Sequence, residues 1–90
     1  MARDTVAITV RFPAMLHRRT GREVTLSDPG LTTMAALLDA LDQRFPGLAS
    51  ELSDPIYNLA VNDEMLLHGV RTRELAADDV VEVVPAISGG

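Results

Sequence analysis

The chain has no cysteine and no lysine, aromatic residues make up 3% of it, and no apolar run approaches the roughly 18 to 20 residues of a membrane span. Without cysteine there is no disulfide framework, no thiolate metal ligand and no side-chain sulfur nucleophile. Without lysine there is no ε-amine to form a Schiff base or receive an isopeptide bond, which leaves the N-terminus as the only primary amine. The opening stretch MARDTVAITV lacks the charged n-region, apolar h-region and small-residue cleavage site of a signal peptide, so the expected location is the cytoplasm. Positive charge is also scarce. Eight arginines against thirteen acidic residues give a net charge of −5, and binding to nucleic acid or to an anionic membrane, which takes surplus positive charge, is not expected. Protein partners are.

What is present describes an ordinary globular chain: 90 residues, 47% hydrophobic and 23% charged, enough for one small domain over residues 1–90 with an economical core. TVAITVRF alternates, with Val6, Ile8, Val10 and Phe12 on one face, and reads as a first strand. After PAMLHRR and a TG turn, REVTLS alternates again and predicts an antiparallel partner. DPG at 28–30 breaks the pattern, and the period changes: Met34, Leu37, Leu38, Leu41 and Phe45 recur at helical spacing, with Thr32 or Thr33 available as N-cap. Pro46 and Gly47 stop that helix, and LASELSDP has room for one short helical turn. IYNLAV and EMLL, separated by Asn62-Asp63, predict a second hairpin, and VVEVVP, apolar on both faces except at Glu82, suits a central strand. One helix has too little apolar stripe for a bundle and must cover a sheet. The expectation is an α+β domain with a mixed four- or five-stranded sheet and one main helix across it, the β-grasp plan, from whose centre the segment 86–90 departs.

The side chains carry little chemistry of their own. His17 and His68 lie in separate loop-like segments with no metal-ligand spacing around them, and read as solvated histidines. The acidic pairs at 63–64 and 78–79 fall in predicted turns, where Asp bonds the backbone. There is no G-x-S-x-G, P-loop or G-x-G-x-x-G pattern, and Ser88 has no base beside it. HRRTGR at 17–22 is the one basic cluster, a solvated hairpin loop or a contact for an anionic surface. Met15 and Leu16 before it either pack under the hairpin or form an exposed contact patch. The closing Gly89-Gly90 is different: it follows an apolar strand and Pro85, and five residues from Ala86 to Gly90 reach at most roughly 16 to 18 Å. Glycines have no Cβ and can thread a narrow channel, and a carboxylate delivered there becomes an electrophile only after activation, most simply as an acyl-adenylate.

The stretches VRFPAMLHRRTG, LLDALDQRFPGL, AVNDE and ELAADDVVEVVPAISGG resemble the MoaD/ThiS family of ubiquitin-like sulfur carriers over nearly the whole chain. The resemblance implies a ubiquitin-like fold and no catalysis by the chain itself. It also implies an E1-like adenylating partner that uses ATP on Gly90, and a sulfur donor or sulfurtransferase that converts the adenylate to a thiocarboxylate. An acceptor enzyme then takes the sulfur. FPAML with TG and the VVPAISGG ending resemble carriers that feed a cysteine synthase. The small subunit of molybdopterin synthase, which partners a large subunit, is close behind, although its usual aromatic pair after the first strand is Phe12-Pro13 here. The expected contacts are Gly89, Ser88, Ile87, Met15 and Leu16. A noncovalent docking module, or a modifier conjugated through Gly90, would share the fold.

Overall fold

The structure is a computed structural model, and it describes residues 7–86. Five strands, β1 (Ala7–Arg11), β2 (Glu23–Ser27), β3 (Tyr57–Val61), β4 (Glu64–Leu66) and β5 (Val80–Pro85), form one mixed sheet in the order β2-β1-β5-β3-β4. β5 pairs parallel with β1 and antiparallel with β3, and the two hairpins β1–β2 and β3–β4 are antiparallel. Helix α1 (His17–Thr20) follows a 3₁₀ turn over Ala14–Leu16, α2 (Met34–Arg44) is the main helix, and α3 (Leu48–Leu52) is a short one. The five-stranded α+β arrangement matches the expectation from the apolar periods, with the last strand central as its two-sided hydrophobicity requires.

The core lies between the sheet and α2. Ile8 and Val10 from β1, Leu59 and Val61 from β3, and Val81 and Val83 from β5 turn the same face inward, against Met34, Leu37, Leu38 and Leu41 of the helix. Each such side chain contributes roughly 1.5 to 3 kcal/mol through removal from water. Phe12 and Phe45 meet edge to face at the end of this layer, ring centroids 6.4 Å apart. Val6, the fourth member of the alternating face, lies outside the described residues.

Both ends of α2 are closed. Thr33 Oγ1 accepts from Ala36 N at 3.2 Å, and the carbonyls of Arg73 and Arg71 accept from Met34 N and Ala35 N, so the first-turn amides that a helix cannot pair internally are satisfied. Thr33, rather than Thr32, is the cap. At the other end Gly47 adopts φ +90°, and Asp42 Oδ1 accepts from both Gly47 N and Ala49 N, which fixes the entry into α3.

Candidate functional site

β5 is the strand that precedes the C-terminal segment, and its two neighbours hold it unequally. Pairing with β1 runs from Thr9↔Val80 to Arg11↔Glu82 and stops there, whereas pairing with β3 continues to Tyr57↔Pro85. One further bond holds the chain, from Ala86 N to the Ile56 carbonyl at 2.6 Å. The strand is thus clamped on both sides at its start and on one side at its end. Ile87, Ser88, Gly89 and Gly90 lie outside the described residues.

Two segments flank the exit: the one that follows β1 and the one that precedes β3. On the β1 side Met15 is 58% exposed, while Leu16 next to it is 3% exposed and belongs to the core. Leu16 therefore cannot serve as the surface contact expected of it. Neighbouring residues of a 3₁₀ turn project about 120° apart, so one faces out and the other in. On the β3 side Ile56 is 49% exposed. The apolar run IYNLAV predicts a strand from Ile56, whereas β3 starts at Tyr57, and the alternation of Tyr57, Leu59 and Val61 puts Ile56 out of phase with the buried set.

The β1–β2 connection is more ordered than a solvated loop. His17 is half-buried, and its Nε2 donates to the Phe12 carbonyl at 2.8 Å, a structural role in place of the solvated one expected. Buried Thr20 donates to the Leu16 carbonyl at 3.0 Å. Arg19 reaches across to α3, where it pairs with Glu51 and donates to the Pro46 carbonyl at 2.7 Å. The other Glu51 oxygen accepts from the Tyr57 hydroxyl at 3.0 Å. This Arg19–Glu51–Tyr57 chain ties the connection to α3 and to the first residue of β3. Burial of the phenol, reinforced by its bond to Glu51 and by nearby carboxylates, pushes the Tyr57 pKa upward.

Charge is unevenly placed. Residues 5–22 hold Arg11, Arg18, Arg19 and Arg22 and no acid. Arg11 pairs with Glu23 at 3.5 Å and Arg19 with Glu51. Arg18 and Arg22 are exposed and make no ion pair among the described residues. The opposite ends of the strands carry Asp28, Asp63, Asp78 and Asp79. Among the described residues no group of His, Asp and Glu could hold a metal ion, and no helix is long and apolar enough to cross a membrane. Among the described residues no hydroxyl is hydrogen-bonded to a histidine.

The sequence profile of the ThiS family matches residues 10–90, through both final glycines. The chain belongs to the ThiS family. This is the MoaD/ThiS group of ubiquitin-like sulfur carriers that its sequence resembles. Among solved structures it is similar to Mycobacterium tuberculosis CysO, with 28% identity, 89% of this chain and 99% of that one covered, and a TM-score of 0.76. It is similar to the Amycolatopsis orientalis BexX/CysO complex at 28% identity, covering 92% and 99%, TM-score 0.73. It is also similar to small archaeal modifier protein 1 of H. volcanii at 26%, covering 91% and 99%, TM-score 0.71. No curated protein matches.

Proposed function

We propose that this ThiS-family chain carries sulfur on the carboxylate of Gly90. An E1-like partner brings ATP, the carboxylate attacks the α-phosphorus, and pyrophosphate leaves. Hydrosulfide released by a donor then adds to the acyl carbon, the C–O bond to AMP breaks, the thiol proton is lost to solvent, and a thiocarboxylate remains. The chain is the substrate in both steps, and ATP is the partner's. Ile87, Ser88 and Gly89 line the partner's channel, where the absence of side chains on the two glycines permits close approach. The acceptor we favour is a cysteine synthase, in which the thiocarboxylate attacks an activated serine; the large subunit of molybdopterin synthase is the runner-up.

The observation that carries this reading is the exit geometry. β5 is central, its final residues are held to β3 as far as Ala86 N, and the family match continues through Gly90. The test is intact mass after incubation with ATP, an E1-like adenylating enzyme and a sulfide source. A gain of about 16 Da on the C-terminal peptide, one oxygen replaced by sulfur, is expected. No gain with a partner shown to be active, together with unimpaired cellular function after deletion of Gly90, would leave a noncovalent docking module. The likeness to small archaeal modifier protein 1 favours a second reading, conjugation through Gly90 to lysines of other proteins. Its mark would be covalent high-mass adducts that disappear in the Gly90 deletion.

A further inference from the structure

We infer that Arg18 and Arg22, with exposed Met15 in the same β1–β2 connection, form the surface by which the chain docks an acidic face of its activating partner. The inference rests on the carrier reading above and adds the partner's surface chemistry to it. Both arginines are exposed and neither is paired with a carboxylate among the described residues, whereas Arg11 and Arg19 in the same segment are already engaged. The surroundings give the pair its meaning. The chain as a whole carries −5, and all thirteen of its acids lie outside residues 5–22.

A negatively charged partner face repels such a molecule in most orientations. It attracts the molecule when the β1–β2 connection leads, and that connection flanks the end of the sheet from which β5 exits. On the other side of the exit stand the exposed acids Asp54, before β3, and Glu82, on β5, so charge selects the approach in which the β1–β2 side faces the partner and the β3 side faces away. Such steering acts on encounter more than on residence, because it raises the association rate over a range of about one Debye length, roughly 8 Å at physiological salt. A carrier that must leave after each loading needs fast encounter without tight binding. Met15, 58% exposed beside the basic pair, supplies the apolar anchor within that polar rim.

The test measures pyrophosphate release by an E1-like adenylating enzyme with the full chain as substrate. Arg18→Glu and Arg22→Glu together should lower kcat/KM about tenfold or more at low salt, leave kcat unchanged, and approach the wild-type value at about 0.5 M salt. Met15→Gln should lower kcat/KM several-fold at every salt concentration. Arg71→Glu changes charge equally per site at an exposed arginine near the start of α2, and should leave kcat/KM within about twofold. Wild-type kinetics in the double variant at low salt would overturn the inference. So would an equal loss in Arg71→Glu, which would show that net charge and not this surface governs encounter. Failure of the wild-type chain to release pyrophosphate would overturn the carrier reading itself, and this inference with it.

Discussion

Replacing Asn62 separates two physical effects at the turn that anchors the start of β5. Val61 pairs with Glu64 across a two-residue loop in which Asn62 has φ 50° and Asp63 φ 73°, the left-handed pair of a type I′ hairpin. The Asn62 side chain is used twice: its Nδ2 donates to Asp79 Oδ1 at 2.9 Å, and its Oδ1 accepts from Val80 N at 2.9 Å. Asn62 N also donates to the Val80 carbonyl at 2.8 Å, so this residue clips the hairpin to the strand that bears the C-terminal segment. Asn62→Gly keeps the backbone conformation and loses two exposed side-chain bonds, about 1 to 2 kcal/mol. Asn62→Ala loses the same bonds and adds a left-handed alanine, about 1 to 2 kcal/mol more.

Urea unfolding resolves the difference. With m near 1 kcal/mol/M, the midpoint should fall by about 1 to 2 M for glycine and about 2 to 4 M for alanine. Equal falls would refute the assigned backbone strain, and an alanine variant within about 0.5 kcal/mol of wild type would refute the clip as well. The turn lies at the opposite end of β5 from its exit, about 17 Å along a six-residue strand. Folded Asn62→Gly should therefore be activated with unchanged kcat/KM, which distinguishes loss of stability from loss of docking.

Two further outcomes follow from the same bonds. Thr33→Ala removes the acceptor for Ala36 N and should cost about 1 kcal/mol by urea unfolding, with Thr33→Ser close to wild type. Tyr57 is the only tyrosine, so tyrosinate absorbance reports it alone; its native midpoint should lie above that of the urea-unfolded chain. Glu51→Gln should lower that midpoint without abolishing the shift, because burial remains its largest cause. Since the unfolded chain releases this proton first, stability is fully present below about pH 10 and declines as pH rises beyond it, and Tyr57→Phe should remove that decline. A native midpoint at or below the unfolded one would contradict the burial of the phenol and the Glu51 bond together.

The fold was legible because period and punctuation agreed. Ile8, Val10 and Phe12 repeat every second residue, Met34, Leu37, Leu38 and Leu41 repeat at helical spacing, and Pro46-Gly47 and Asn62-Asp63 mark the points where the chain must turn. The surroundings of the exit were less legible. Met15 and Leu16 are adjacent apolar residues in a stretch with no period, and only the 3₁₀ turn decides that one is buried. His17 could be placed only once the Phe12 carbonyl stood within reach. Local sequence sets propensity, whereas such partners are brought in by tertiary contact, as Glu51 is to Arg19 from 32 positions away.

The topology also explains why a carrier would place its last strand in the middle of the sheet. An edge strand would be held on one side throughout, and the direction in which it leaves would follow the fraying of that edge. Here β5 is held by β1 as far as Glu82 and by β3 as far as Pro85. β5 is thereby anchored by two neighbours before its last residues, while the final bond to Ile56 is a single one at its margin. The stabilising features are placed accordingly: the Asn62 clip is at the far end of the strand, and the capped helix covers the inner face. Exposed Met15, Ile56, Arg18 and Arg22 flank the exit and form no part of the buried core. Changes at these four positions should therefore alter partner choice and encounter at little cost in stability, a separation that suits one fold serving different acceptors.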